Sequence, residues 1–242
     1  MSGHSKWKNI QHRKGAQDAK RGKIFTKVGK EITVAVKVGG TDPETNARLR
    51  AVLIKARIAN MPRDNIDRAI KRGSGALGDI QYVEKTYEGY GTGGVAFVVE
   101  CLTDNHTRTV SDVRYAFTKF GGNLGTDGSV SWMFKKKGLI LIAKNNITDY
   151  DSLLELAMEH DAEDVKEEGD VYEVTCPVDK FSGLKEVLDA RKIPTEVAEV
   201  TRIPENYTAV TEKQGESINK LIDILEDSDD VQNVYHNASF PD

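Results

Sequence analysis

Strand-like and helix-like runs alternate between Leu139 and Ile203, and their order constrains the fold more than any other feature of the chain. GLILIAK, DVYEVTCPV and EVAEVTRI have the composition of strands, whereas SLLELAMEH and FSGLKEVLDA have the spacing of amphipathic helices. If EDVKEE is counted as a short strand, the order is β-α-β-β-α-β, which is typical of the ferredoxin-like fold. We therefore predict one ferredoxin-like α/β sandwich in this stretch.

The segments on either side of that stretch predict a second sandwich of the same type. GGVAFVVECLTD and SVSWMFKK are predicted strands, and the helix NHTRTVSDVRYAFTKFGG lies between them. Near the end of the chain, a helix GESINKLIDILE and a strand DVQNVYH supply the remaining elements. These two groups complete one sandwich if the first sandwich is inserted between them.

The first 75 residues predict a compact helical module instead. On a helical wheel from Ala16 to Val38, the apolar residues fall on one side and the lysines on the opposite side. A second helix is predicted to begin at Asp42 and Pro43, with Asp42 as its cap, and a third begins at Pro62. The apolar side of the first helix comprises Ile24, Phe25, Val28, Ile32, Ala35 and Val36.

The predicted fold class is therefore α+β with three domains. Residues 1–75 form a basic helical nucleic-acid-binding module, residues 80–137 plus 205–242 form one ferredoxin-like α/β sandwich, and residues 138–204 form a second one inserted within it.

Charge divides the chain at the same place. Residues 1–75 contain 18 Lys and Arg against 6 Asp and Glu, whereas residues 76–242 contain 16 against 32, so the formal net charge of −4 conceals two opposite parts. Such asymmetry indicates a polyanionic partner for the basic part. The alternative is that the two parts attract each other. The acidic cluster of Glu226, Asp227, Asp229 and Asp230 fits a solvated loop, or a segment that shields the basic module.

Nucleic acid is the polyanion that the pattern favours. The lysine side of the first helix could follow a phosphate backbone, while Trp7 could stack on bases or anchor the terminus on the core of the module. The candidate nucleic-acid-binding residues are Lys6, Trp7, Lys8, His12, Arg13, Lys14, Lys20, Arg21, Lys23, Lys27, Lys30, Lys37, Arg48, Lys55 and Arg57.

The basic start could instead be a mitochondrial leader, since such peptides are amphipathic and poor in acids. Against that interpretation, the segment contains Asp18 and continues without a break in composition into a helix that is predicted to be structural. The apolar runs are far shorter than a membrane span, and the two cysteines are 75 positions apart. A cytoplasmic protein with no membrane partner is therefore expected.

No catalytic or cofactor site is predicted. Gly89, Gly91 and Gly94 satisfy G-x-G-x-x-G, but a dinucleotide site needs a helix after the motif and a strand is predicted there. Cys101 and His106 lack a predicted oxyanion site, and the five histidines show no metal-ligand spacing. We expect no cofactor, no metal and no small-molecule substrate, and an enzyme with a Gly-rich site is the least favoured function.

Five long stretches resemble one known family: GHSKWKNIQHRKGAQDAKRGKIFTKVGKEI, GGTDPETNARLR, NMPRDNIDRAIKRG, YEGYGTGGVAFVVECLTDNHTRTVSDVR and GGNLGTDGSV. They are similar to the YebC family, which includes the mitochondrial translational activator of cytochrome oxidase subunit one. The resemblance implies three domains and a cytoplasmic protein without enzymatic activity that is a probable DNA-binding transcriptional regulator. It also implies an alternative, because other members act in translation by associating with ribosomes and relieving stalling at proline-rich stretches.

Overall fold

A computed structural model of the chain describes residues 21–78 and 81–241. Within these residues the chain divides into two compact units. One comprises residues 132–207, and the other combines the described residues before 132 with those from 208 onward. The α+β class is confirmed by helices that pack beside antiparallel sheets, while the bounds of the three domains stay a prediction.

The elements are numbered in chain order over the described residues. The helices are α1 (Arg21–Gly39), α2 (Ala47–Ile58), α3 (Arg63–Gly73), α4 (His106–Lys119), α5 (Tyr150–Glu159), α6 (Phe181–Ala190) and α7 (Glu212–Glu226). The strands are β1 (Val83–Tyr90), β2 (Ala96–Thr103), β3 (Asn123–Leu124), β4 (Phe134–Ala143), β5 (Asp164–Glu168), β6 (Val171–Cys176), β7 (Val197–Pro204), β8 (Thr208–Ala209), β9 (Val231–His236) and β10 (Ala238–Ser239).

Helices α1, α2 and α3 enclose a small apolar core. The side of α1 that was predicted to be apolar is buried, with Ile32 and Ala35 fully inaccessible to solvent. Leu49 and Ala56 of α2 and Ala69 of α3 complete that core. Burial of one stripe from each helix stabilises the three together, since short helices gain most of their stability from such packing.

The start of α2 differs from the prediction. Asn46 caps the helix by accepting a hydrogen bond from the Leu49 backbone N–H at 3.0 Å, whereas Asp42 forms a turn by accepting one from the Glu44 N–H. The side-chain amide of Asn46 also donates to the Ala35 and Gly40 carbonyls, each at 2.8 Å. An Asp at this position could accept but not donate, so Asn46 both starts α2 and ties it to α1.

The unit of residues 132–207 has the predicted ferredoxin-like topology. Its four strands lie in the order β5-β6-β4-β7 with every pair antiparallel, and α5 and α6 pack on one face. The short strand that was predicted in EDVKEE is β5. Its core includes Ile140, Ile142, Leu184 and Leu188, all almost inaccessible to solvent.

The other sheet has the order β3-β1-β2-β9, with α4 and α7 packed on it. Two elements of this sheet differ from the sequence analysis. Strand β1 was not predicted, although it pairs with β2 along its whole length. The predicted strand SVSWMFKK is wrong, because Ser131–Met133 form a 3-10 turn and Phe134 already begins β4. The partner of β1 on its other side is β3, at Asn123–Leu124.

Candidate nucleic-acid interface

Three lysines of α1 contact the C-terminal end of α7. Lys23 Nζ lies 2.7 Å from Asp227 Oδ1 and donates to the Asp227 carbonyl at 2.8 Å. Lys27 Nζ donates to the Glu226 carbonyl at 2.7 Å, and Lys30 Nζ donates to the Asp229 carbonyl at 2.9 Å. The last carbonyls of a helix lack partners within the helix and carry its negative dipole end, so ammonium groups stabilise that end.

Asp230 is the centre of this contact and is only 5% exposed. Its Oδ1 accepts from Lys30 at 2.6 Å, while its Oδ2 accepts from Arg108 at 2.8 Å and from Thr109 at 2.9 Å. Burial alone raises the pKa of Asp230, but the hydrogen bonds from Lys30, Arg108 and Thr109 outweigh it and lower the pKa to about 2. The carboxylate is therefore charged at neutral pH and holds two cations.

The lysine row of α1, which includes Lys23, Lys27 and Lys30, was predicted to face a phosphate backbone, and that assignment stays a prediction. In the structure these three lysines are half-buried and contact residues 226–230, which we call the acidic turn, because this segment supplies both carboxylates and backbone carbonyl acceptors. The alternative that the basic and acidic parts attract each other describes this contact. Lys37, at the far end of α1, is exposed.

The second helix carries the other described candidates on its surface. Arg48 forms an ion pair with Glu84, and Lys55 Nζ lies 2.6 Å from Glu31 Oε1. Arg57 is exposed, and its side chain has no ion-pair or hydrogen-bond partner among the described residues. Arg50, which was not among the candidates, donates to the Pro43 carbonyl at 2.8 Å and keeps its charge unneutralised by any carboxylate of the described chain.

The remaining candidates lie outside the described residues. Arg21 begins α1, but its side chain is not described. The assignment of the whole set to nucleic acid stays a prediction. The candidates outside the described residues are Lys6, Trp7, Lys8, His12, Arg13, Lys14 and Lys20.

Sequence reasoning gave the cluster that contains Asp230 two interpretations, a solvated loop or a segment that shields the basic module, but it did not identify Asp230 as the buried partner of Lys30. The opposite charges of the two ends of the chain were the only available signal, and charge alone does not say which lysine meets which carboxylate. It also missed Glu88, which is 6% exposed and accepts backbone N–H groups from Gly128, Val130 and Ser131 at 2.7 to 2.8 Å. Burial raises the pKa of Glu88, but these bonds from Val130, Gly128 and Ser131 lower it overall.

The glycine motif leads into a buried strand, as predicted. Thr92–Gly94 form a 3-10 turn in which Gly93 has a φ of 73°, and β2 begins at Ala96. Cys101 is 3% exposed within the core, where burial and the nearby Asp230 raise its pKa to about 12. A thiol in that setting is not a nucleophile at neutral pH.

The part of the chain that the structure describes contains no group of three His, Cys, Asp or Glu residues arranged to hold a metal ion. Among the helices described, none is both long and apolar enough to cross a membrane.

Comparisons with known proteins identify the family. The family model described as "TACO1/YebC protein N-terminal domain" matches residues 5–76, and the one described as "TACO1/YebC second and third domain" matches residues 82–238. The chain belongs to the TACO1/YebC family. The predicted YebC resemblance is thereby confirmed.

Relatives within the TACO1/YebC family align over almost the whole chain. A protein from Syntrophotalea carbinolica is 58% identical over 243 residues, which cover 100% of this chain and 97% of the relative. A protein from Geobacter sulfurreducens is 54% identical over 237 residues, which cover 98% and 95% respectively. Both are named "Probable transcriptional regulatory protein".

A solved structure has the same fold. The crystal structure of a conserved hypothetical protein from Aquifex aeolicus superposes with a TM-score of 0.81 at 43% sequence identity, covering 93% of each chain. The agreement supports the arrangement of helices and sheets described above for this TACO1/YebC protein.

Proposed function

We propose that the chain is a non-enzymatic, nucleic-acid-binding regulator of gene expression that acts in the cytoplasm. One observation carries the proposal: residues 21–78 contain 13 Lys and Arg against 5 Asp and Glu, and the acidic turn neutralises only part of this excess. Arg57, Arg68 and Lys71 are exposed and have no carboxylate partner among the described residues. Clustered cations of this type bind phosphate backbones and release counterions.

The names of the relatives favour DNA as the physiological target. Both relatives described above are called probable transcriptional regulatory proteins, and DNA is the nucleic acid that is transcribed. The alternative is a ribosome-associated translation factor, because ribosomal RNA presents the same phosphate charge. Phosphate contacts position a protein without reading sequence, so the described cations support affinity and not a particular target sequence.

Salt dependence tests the proposal directly. We expect the affinity of the full chain for a fluorescein-labelled DNA duplex to fall steeply with salt. The double variant Arg57→Ser/Arg68→Ser should make the negative slope of log K against log salt shallower by about 2, because each lost phosphate contact removes about 0.9 from its magnitude. Fluorescence anisotropy at several salt concentrations measures both slopes.

Lys213→Ser/Lys220→Ser is the matched control, since these two exposed lysines lie on α7 in the acidic part of the chain. It should leave the slope unchanged. A flat salt response of the unmodified chain, or equal slopes for the two double variants, would contradict the proposal.

A ribosome experiment separates DNA from RNA. Sedimentation of ribosomes from cell lysate, followed by a high-salt wash, shows whether the protein travels with them. Association that is lost in Arg57→Ser/Arg68→Ser, together with a weaker affinity for DNA than for an RNA duplex, would replace the transcriptional role with the translational one. Retention on DNA without ribosome association supports the role in transcription.

A further inference from the structure

Helix α2 has an apolar stripe on its exposed side. Ile54 is 52% exposed and Ile58 is 76% exposed, and Ala47 and Ala51 are also exposed. The spacing of these four residues is four, three and four, which places them within about 60° of one another at 100° per residue. We call this set the α2 ridge. It runs along the whole length of the helix, about 17 Å at 1.5 Å per residue.

The opposite side of the same helix is already occupied. Leu49, Val52 and Ala56 are buried in the core that α2 shares with α1 and α3. A helix with apolar residues on both sides is normally buried on both sides. The α2 ridge is therefore a surface with the composition of an interface.

Cations border the ridge on both sides, and α2 contains no acid. Arg50 and Arg57 lie along one border, and Arg48 and Lys55 lie along the other. Glu84 and Glu31 pair with Arg48 and Lys55. The charges of Arg50 and Arg57, about 10 Å apart along the helix, have no carboxylate partner within the described residues.

We propose that the α2 ridge binds an acidic amphipathic helix of a partner protein. The four, three and four spacing is that of the a and d positions of a coiled coil, and the four cations occupy the bordering e and g positions. Charges at e and g select the partner, so basic borders select a helix that carries Glu or Asp at the facing positions.

Two other occupants fit the surface less well. A second copy of α2 would bring a second set of bordering cations and no carboxylate from α2 itself, so the unpaired Arg50 and Arg57 would meet like charges across the seam. A nucleic acid would meet Ala and Ile side chains, which have no donors or acceptors for base edges and leave those edges unpaired. The proposal does not depend on nucleic-acid binding, which uses cations elsewhere on the module as well.

Two synthetic peptides of 21 residues test the proposal on the full chain. Both have Leu at the a and d positions; one has Glu at every e and g position and the other has Lys. We expect the Glu peptide to bind at least tenfold more tightly than the Lys peptide in 50 mM NaCl, and the ratio to shrink in 0.5 M NaCl because salt screens exposed charges. Fluorescence anisotropy of labelled peptides gives both affinities.

Variants assign the binding to the ridge and its border. Ile54→Ser/Ile58→Ser should weaken the Glu peptide at least tenfold, and Arg50→Glu/Arg57→Glu should reverse the preference towards the Lys peptide. Met158→Ser is the control, since Met158 is 51% exposed on α5. All substituted residues are exposed, and circular dichroism confirms that each variant is folded.

Three outcomes would overturn the proposal. Equal affinity of the two peptides, or no binding of either, excludes an acidic helix as the occupant. A tenfold loss of DNA affinity in Ile54→Ser/Ile58→Ser, with the salt slope of the unmodified chain retained, assigns the ridge to nucleic acid. A concentration-dependent dimer that the same variant abolishes, measured by light scattering, assigns it to a second copy. A flat salt response for DNA with selective binding of the Glu peptide overturns the proposed function alone.

Discussion

At the scale of single residues, the contact between the two ends of the chain depends on Asp230. Its carboxylate is 7% exposed and the Lys30 side chain is 11% exposed, so water screens their attraction much less than it screens a surface pair. Arg108, Thr109 and Thr103 supply the other hydrogen bonds to the same carboxylate. These hydrogen bonds are needed because a buried carboxylate without partners would lower the stability of the folded protein.

Asp230→Asn should therefore destabilise the protein. The amide keeps the shape of the carboxylate but leaves Lys30 without a countercharge and removes one of the two carboxylates that pair with Arg108. The change should lower the free energy of unfolding by about 2 to 3 kcal/mol. Urea denaturation followed by circular dichroism measures the change. The neighbouring Asp229→Asn is the matched control, because the Asp229 side chain is exposed and only its backbone carbonyl contacts Lys30. Equal stabilities of the two variants would contradict this role of Asp230.

The same carboxylate predicts a loss of stability in acid. Its pKa is lowered from 3.8 to about 2 in the folded protein, so its contribution is complete above pH 4 and disappears as the pH falls from about 4 to 2. The shift corresponds to about 2 kcal/mol. Urea midpoints at pH 5, 4, 3 and 2 should therefore fall more steeply for the unmodified protein than for Asp230→Asn. Parallel curves would show that Asp230 does not titrate in this range.

At the scale of elements, the sequence predicted α1 well because its pattern is local. Residues three and four apart face the same side of a helix, so Val28 and Ile32 are recognisable as core residues from their spacing alone. The lysine row was recognisable for the same reason. What the row contacts is not local, since Lys30 and Asp230 are 200 positions apart, and no spacing rule connects them.

Strand β1 shows why other elements could not be predicted. VEKTYEGY has little apolar alternation, and its first four residues are exposed. The segment is a strand because β2 lies beside it, with Gly89 opposite Phe97. A Cβ on Gly89 would lie 2.6 Å from the Asn123 carbonyl oxygen, so the absence of a side chain permits the close approach of β3. The secondary structure of such a segment is determined by its pairing with distant strands and not by local propensity.

The α2 ridge is an element-scale feature that the sequence did not reveal. Leu49, Val52, Leu53 and Ala56 of this helix lie in or against the core. Ile54 and Ile58 are equally apolar, and only the packing of α1 and α3 decides which side is buried. Exposure, and not composition, distinguishes a core stripe from a docking stripe.

At the scale of the whole molecule, the module of α1, α2 and α3 belongs to the same compact unit as the sheet of β1, β2, β3 and β9. Three α1 lysines join it to the end of α7, and Lys30 also approaches the Leu102 carbonyl at 3.5 Å. Charge asymmetry between the parts therefore has a structural use within the chain. On α2 and α3, Arg57, Arg68 and Lys71 are exposed cations without a carboxylate partner among the described residues.

Because the contact between the α1 lysines and the acidic turn holds the module and the sheet together, we expect the two to open together. Asp230→Asn removes the Lys30–Asp230 ion pair from this contact, so it should speed amide exchange in α1 and α2 by the same factor as in β2 and β9. A loss of 2 kcal/mol corresponds to about 30-fold for amides that exchange through the shared opening. Hydrogen exchange followed by mass spectrometry, with Asp229→Asn as the control, measures each segment separately. If exchange accelerates in the module while β2 is unchanged, the helices open independently, and the lysine row is a docking contact that a polyanion could displace without unfolding the sheet.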